Sequence, residues 1–238
     1  ISGFSPASYA LTDASSLRIG LEILFDTMRL TKRSIMINII TTIMKGNLPL
    51  LPEIEKTISK KGVSFWQLQL GIPMGKLSEH MEFVIEPNQL LDVKKFILEA
   101  KQRNQIQLTI ADSIGYCSQD ELIMRNNSST NGERVYLGCM AGCKAVAIES
   151  NGDVKGCLSL QNERFIEGNI RERSLKDICT DKKSFNYNRN FNSESLGGYC
   201  SKCVYANICR GGCTSLAYNT SGHINNNNYC MHIMEQRW

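Results

Sequence analysis

The stretch YCSKCVYANICRGGCTSLAYNTSGHINNNNYC, residues 199–230, places Cys200, Cys203, Cys209 and Cys213 at C-x2-C-x5-C-x3-C spacing, with Cys230 beyond an Asn-rich loop. Thiols this close together suit metals. A C-x2-C pair lets two sulfurs reach one centre from a single tight turn, whereas the longer gaps can send other sulfurs to a different centre. More than one metal site is expected.

Upstream, GCMAGCKAVAIESNGDVKGCL adds Cys139, Cys143 and Cys157 around a predicted hairpin. Val146, Ile148, Val154 and Cys157 lie in short strand-like runs on either side of Asn151-Gly152, a dipeptide that accepts the positive φ angles of a tight turn. The turn is expected to fold Cys157 back towards Cys143. The two segments together hold eight cysteines, the ligand count of two four-thiolate centres.

This arrangement resembles the SPASM domain, the auxiliary iron–sulfur domain at the C-terminus of many radical S-adenosylmethionine (SAM) maturases. Its pattern is a cysteine, a Gly-x4-Cys hairpin, C-x2-C-x5-C-x3-C and a last cysteine; Cys143, Gly152 to Cys157, Cys200 to Cys213 and Cys230 match it. The resemblance implies one [4Fe–4S] cluster on Cys139, Cys143, Cys157 and Cys213. It implies a second on Cys200, Cys203, Cys209 and Cys230, so that Cys213 leaves its sequence neighbours to join the hairpin.

Two other readings compete. Disulfides need an oxidising compartment, and the chain shows neither a signal peptide nor the cysteine density of a disulfide scaffold. Zinc is the stronger competitor, because four-thiolate zinc sites also use C-x2-C pairs; the full order of eight cysteines weighs against it.

Composition excludes other classes. The 238 residues are 42% hydrophobic, enough for one large domain or two ordinary ones, and nine of ten cysteines lie after residue 138. A net charge of +4 comes from 27 basic and 23 acidic residues spread along the chain, so no nucleic-acid footprint is expected. The apolar runs fall short of the ~20 residues of a membrane span.

Residues 1–112 read as alternating strands and helices. Ser15 or Ser16 can cap a helix carrying Leu17, Leu21, Leu24, Phe25 and Met28. Ser34–Thr42 suits a strand buried on both faces. LPLLPEIEKTISKKG reads as a helix, Val63–Leu70 as a strand, and Pro87–Asn104 as a third helix with Leu90, Leu91, Val93, Phe96, Ile97 and Leu98 on its apolar side. Ile106–Ala111 is one more strand. Short alternating connections predict parallel strands with right-handed crossovers.

The segment resembles the second half of the radical SAM partial barrel, through ISG and a long helix, INIITT, WQLQLGIPMG and TIADSIGY. The predicted fold is therefore α/β: the C-terminal half of a partial (β/α)6 barrel over residues 1–132, linker included, then a small cysteine-rich α+β SPASM domain over 133–238. Residues 113–138 read as a linker with little to bury and a boundary near Gly132.

In such a barrel alternate residues face the lumen, which makes Asn38, Gln67 and Gln69 candidates for contact with SAM or substrate. Asp112 ends its strand where parallel sheets place chemistry, a candidate proton acceptor. Cys179 is expected on the apolar side of SLKDICTDKK with Leu175 and Ile178. Cys117 is expected to be a half-buried bystander, His80, His223 and His232 to lie at the surface or at caps, and MHIMEQRW to form a short helix packing Met231, Ile233 or Met234, and Trp238 onto the barrel.

The C-x3-C-x2-C loop of radical SAM chemistry does not occur: Val146 and Leu216 stand where its third cysteine would follow the two x3 pairs. The chain alone is expected not to cleave SAM. Ile1 in place of Met suggests a piece of a longer protein, with truncation favoured over a natural half-enzyme. For the parent protein the resemblance implies SAM, a third [4Fe–4S] cluster, an external electron donor and a cytoplasmic, anaerobic setting. Its activity would be oxidative modification of a peptide or protein. Sulfatase maturases carry an acidic residue after the third cysteine of the first cluster; Leu158 stands there, which leans towards crosslinking or thioether formation in a ribosomally made peptide. The alternatives are a non-catalytic binding or electron-relay module and a zinc-stabilised interaction domain.

Overall fold

A computed structural model describes Asp26 and residues 37–61, 63–126 and 135–236. The expected first helix, the start of the strand at Ser34, the boundary at Gly132 and Trp238 lie outside the described residues. The chain divides into two compact units. The first spans 1–114 and 118–135; the second spans 136–238 and also takes Gly115–Cys117.

The first unit holds a three-stranded parallel sheet in the order β1 (Asn38–Ile43), β2 (Phe65–Leu70), β3 (Gln107–Ile110). Register pairs Ile40 with Gln67 and Gln67 with Thr109. Two helices make the crossovers, α1 (Leu51–Lys60) and α2 (Leu90–Arg103), each entered through a 3-10 turn carrying proline, Leu48–Leu50 and Pro87–Gln89. Proline suits this place because a helix's first amides have no partner to lose. Asn104, at φ 47°, closes α2 in the left-handed region.

Alternation sorts the sheet into two faces. Trp66, Leu68, Leu70 and Leu108 are buried, and Trp66 meets Phe96 of α2 edge to face with centroids 5.7 Å apart. Truncating so deeply buried an indole to alanine costs about 3–5 kcal/mol. Along α2 the buried residues are Leu90, Val93, Phe96, Ile97 and Ala100; Leu91 and Leu98 are half-buried at the edge of the stripe. The opposite sheet face carries Asn38, Ile40, Gln67 and Gln69. Ile40 is 55% exposed, so β1 is not buried on both faces. The reason is positional: the described helices draw in the other face.

Residues 113–126 depart from the expected linker. Ser113 Oγ accepts the Leu70 amide at 3.0 Å, Ile114 and Met124 are fully buried, and α3 (Glu121–Arg125) pairs Glu121 with Arg125 within one turn. The polar composition of the segment hid its few apolar anchors.

The second unit centres on a small antiparallel sheet in the order β4 (Ala147–Ile148), β5 (Asp153–Lys155), β6 (Gly168–Asn169). The hairpin exists, but its turn is the four-residue Glu149–Gly152 and only Gly152, at φ 96°, has positive φ. Asn151 instead accepts the Asp153 amide through its side chain at 3.1 Å, the usual Asn turn device. Short helices follow: α4 (Leu175–Thr180), α5 (Asn186–Arg189), α6 (Ala206–Cys209), α7 (Thr214–Ser221) and α8 (Met231–Gln236). Ile178 packs with Val154 and Phe185, and Cys179 joins that cluster at its edge; Leu175 is exposed rather than apolar-side core. Met231, Ile233 and Met234 are all buried.

Candidate metal centres

Three distant backbone segments bring Cys139, Cys157 and Cys213 together. Cys139 leads into the turn at Met140–Lys144, Cys157 follows β5, and Cys213 caps α7. Side chains tie these segments. Asn188 of α5 donates to Ala141 O at 2.9 Å and accepts from Thr214 Oγ1 at 3.1 Å. Arg189 Nε donates to Gly142 O at 2.7 Å. Ser215 Oγ donates to Ser159 O at 2.9 Å, which holds the segment after Cys157 against α7.

The thiols respond to one another. Burial pushes the Cys213 thiol up to about 12, and the charges of Cys139 and Cys157 add to it, while the nearby Leu216 and Ser215 amides oppose the rise without a formed capping hydrogen bond. Those are the second and third amides of α7, the pair a capping group normally satisfies. Tyr187 faces the same place. Its hydroxyl is raised by burial and by the charges of Glu167, Cys139 and Cys157, with the nearby Gly156 amide opposing the rise, and it makes no well-formed hydrogen bond. Cys143 is exposed and is not among the thiols felt at Cys213.

A second group holds Cys200, Cys203, Cys209 and Cys230, and with them Cys117. Cys200 and Cys230 are buried. Burial pushes Cys230 up to about 12; the nearby Ile233 and His232 amides at the start of α8 oppose this, and Cys200 and Cys203 raise it further. Burial also raises Cys200, against a hydrogen bond from the Asn227 amide. Cys209 is raised most by a side-chain hydrogen bond with Cys117, then by burial and the charges of Cys117, Cys230 and Cys200. Cys117 is therefore no bystander. Asn227 is 1% exposed and its Nδ2 has no partner.

Only three residues separate Cys209 from Cys213, yet the two serve different groups. Arg210, Gly211 and Gly212 have φ of 55°, 81° and 76°, three consecutive residues in the left-handed region. A Cβ on Gly212 would lie 2.6 Å from Asn227 Nδ2 and 3.1 Å from the Tyr116 ring, so glycine is required by space as well as by φ.

The remaining sequence candidates lie elsewhere. Asn38 is exposed, and Gln67 and Gln69 are half-buried on the open sheet face, where Gln69 donates to Thr42 Oγ1 at 2.9 Å. Asp112 is at the surface, 75% exposed by side chain and 3.8 Å from Arg125. His80 is exposed beside Glu82. His232 departs from the surface role expected of it: it is 9% exposed and stacked edge-on to Tyr205, with centroids 5.0 Å apart.

A four-iron core puts each thiolate on a different iron, whereas one zinc ion gathers all its sulfurs at about 2.3 Å. Among the described residues no three His, Cys, Asp or Glu side chains close on a single ion position. Orphaned buried donors, Tyr187 Oη at one group and Asn227 Nδ2 at the other, are what sulfur acceptors would satisfy. The residues present fit iron–sulfur clusters. Sequence reasoning did not find Tyr187, Asn188, Asn227 or Cys117; Gly115 beside Cys117 was the available cue.

Comparison with known proteins agrees. Residues 139–204 match the SPASM family, an iron–sulfur cluster-binding domain. AdoMet-dependent heme synthases of Oleidesulfovibrio alaskensis and Nitratidesulfovibrio vulgaris are each 25% identical, over 76% of this chain and 47% and 50% of theirs. Streptococcus suis SuiB bound to its precursor peptide SuiA superposes with a TM-score of 0.57 at 15% identity, over 88% of this chain and 46% of SuiB. AdoMet-bound anSMEcpe gives 0.51 at 19%, over 84% of this chain and 50% of that one. The chain spans about half the length of the curated relatives it matches.

Proposed function

Since this chain carries a SPASM domain and corresponds to the C-terminal portion of radical SAM/SPASM proteins, we propose that it is the auxiliary-cluster part of an enzyme that oxidatively modifies a peptide or protein. Cys139, Cys143, Cys157 and Cys213 hold one [4Fe–4S] cluster in this reading, and Cys200, Cys203, Cys209 and Cys230 the other. The observation that carries it is the sorting of Cys209 and Cys213 into separate thiol groups by the left-handed turn between them.

Bound clusters supply one-electron transfer or an anchoring iron for substrate. The protein's part is to desolvate the thiols, set Cys213 and Cys230 at the starts of helices, and bring distant segments together through Asn188 and Ser215. Asn38, Gln67 and Gln69, on the open sheet face, would contact SAM or the substrate in the intact enzyme, and Asp112 is the candidate proton acceptor. SAM, a third cluster and an external electron donor in an anaerobic cytoplasm complete the proposal. Peptide modification is supported by the fold shared with SuiB. A tetrapyrrole substrate is the second reading, favoured by the two heme synthase relatives.

Anaerobic purification tests the cluster assignment. The expected result is about eight irons and eight sulfides per chain, from two four-iron clusters; a colourless protein holding zinc and no sulfide overturns it.

A further inference from the structure

Residues 225–228 are four asparagines in a row, and they are used differently. Asn225 Nδ2 donates to Ser195 O at 3.1 Å, Asn226 lies against Gly198, and Asn228 is exposed. Asn227 is the buried one, at 1% exposure. Its carboxamide is held one way round. Oδ1 accepts the Tyr229 amide at 2.9 Å, the usual Asn turn device, and turning the group over would set N–H against N–H. Nδ2 is thereby fixed on the other side. There it stands 2.6 Å from the place a Cβ on Gly212 would take, with the Tyr116 ring 3.1 Å from the same point, and it has no hydrogen-bond partner. Buried donors left unmet are costly and rare, so a donor held this firmly marks the place of an acceptor.

The surroundings supply sulfur. Gly212 N donates to Cys209 O at 3.0 Å, and Cys230 Sγ donates to Tyr116 O at 3.6 Å. Both residues that flank the Asn227 amide group are therefore bonded to proposed ligands of the second cluster. We propose that Asn227 donates through Nδ2 to a sulfur of that cluster and raises its reduction potential. The inference rests on the iron–sulfur reading of the site. Reduction here is the uptake of one electron from a low-potential one-electron donor; no bond forms or breaks and no proton moves. Added charge gathers on the sulfurs, and a hydrogen bond strengthens as its acceptor becomes more negative. Asn227 thus stabilises the reduced state more than the oxidised one.

The test is an anaerobic redox titration of the iron-loaded chain, followed by electron paramagnetic resonance, in wild type and Asn227→Leu. Leucine keeps the size and shape of the side chain and removes the donor; Asn227→Ala is measured beside it in case the leucine branch hinders loading. The second cluster's signal is the one that persists in Cys157→Ala. The expected result is about eight irons per chain in wild type and variants. The second cluster's reduction equilibrium should shift about tenfold towards the oxidised form on loss of the donor, ~59 mV for one electron, with the first cluster unmoved. An unchanged midpoint in a loaded variant overturns the proposal, as does an equal shift in both clusters. Wild type gives a second readout. With asparagine isotopically labelled at its side-chain nitrogen only, pulsed electron paramagnetic resonance of the reduced second cluster should detect that nitrogen through its hyperfine coupling. Presence of the coupling upholds the contact and its absence overturns it, even if neither variant takes up iron. Absence of iron from wild type overturns the cluster reading itself.

Discussion

The Thr214 hydroxyl donates to Asn188 Oδ1 across 3.1 Å, between residues 26 apart in sequence. Because the same amide donates to Ala141 O, one side chain joins the residue after Cys213 to the turn after Cys139. Replacing Asn188 with alanine leaves a buried carbonyl and a hydroxyl without their partner, a loss of about 1–3 kcal/mol. The expected outcome is a lower urea midpoint and faster release of about four of eight irons to a chelator, with the other four unaffected.

Gly156 lies beneath Tyr187. A methyl group there would stand 2.2 Å from Tyr187 Oη and 3.0 Å from the Ala141 carbonyl carbon. Gly156→Ala should destabilise by about 1–3 kcal/mol through overpacking. Tyr187→Phe removes the nearest clashing atom, so the double variant should recover part of that loss. Denaturant unfolding of the four proteins measures the coupling; additive effects would deny the contact.

The partition of sulfurs can be read from pairs of substitutions. Cys157→Ala combined with Cys213→Ala should retain about four irons, because both act on one cluster, whereas Cys157→Ala combined with Cys230→Ala should retain none. Iron analysis decides. Equal retention in both pairs would contradict the interleaving.

Lys101 supplies a pH dependence independent of the thiols. Burial holds its amine at about 8, below the ordinary 10.5, while Nζ donates to Asn126 O at 2.6 Å. Between about 8 and 10.5 the unfolded chain binds the extra proton, so stability rises with pH across that window and is least below it. Lys101→Met should remove that slope. Urea midpoints at either end of the window, compared between variant and wild type, check it; equal slopes would contradict the burial of the charge.

Much of this was legible because spacing and periodicity are local signals. The three parallel strands, α1 and α2 follow from apolar pattern, Pro at helix entry and a left-handed Asn104 at exit. The eight cysteines were visible as a set. What escaped was long-range. Nothing near Cys117 in sequence states that Tyr116 will be buried on Tyr136 and Gly212, so its thiol looked idle. His232 looked like a surface residue because the aromatic rings that enclose it, Tyr199 and Tyr205, lie some thirty residues earlier. The polar Asn188 carried no motif, since its role is to join two backbones that meet only in three dimensions.

Arg210-Gly211-Gly212 has a consequence for how the domain can change over evolutionary time. Four peptide bonds tether Cys209 to Cys213, which the proposal assigns to different centres, so an insertion, a deletion or a β-branched replacement in that tripeptide would misaim both thiols at once. In the proposed ligation the two centres thus form a single cassette, in which a change that refashions one reaches its companion.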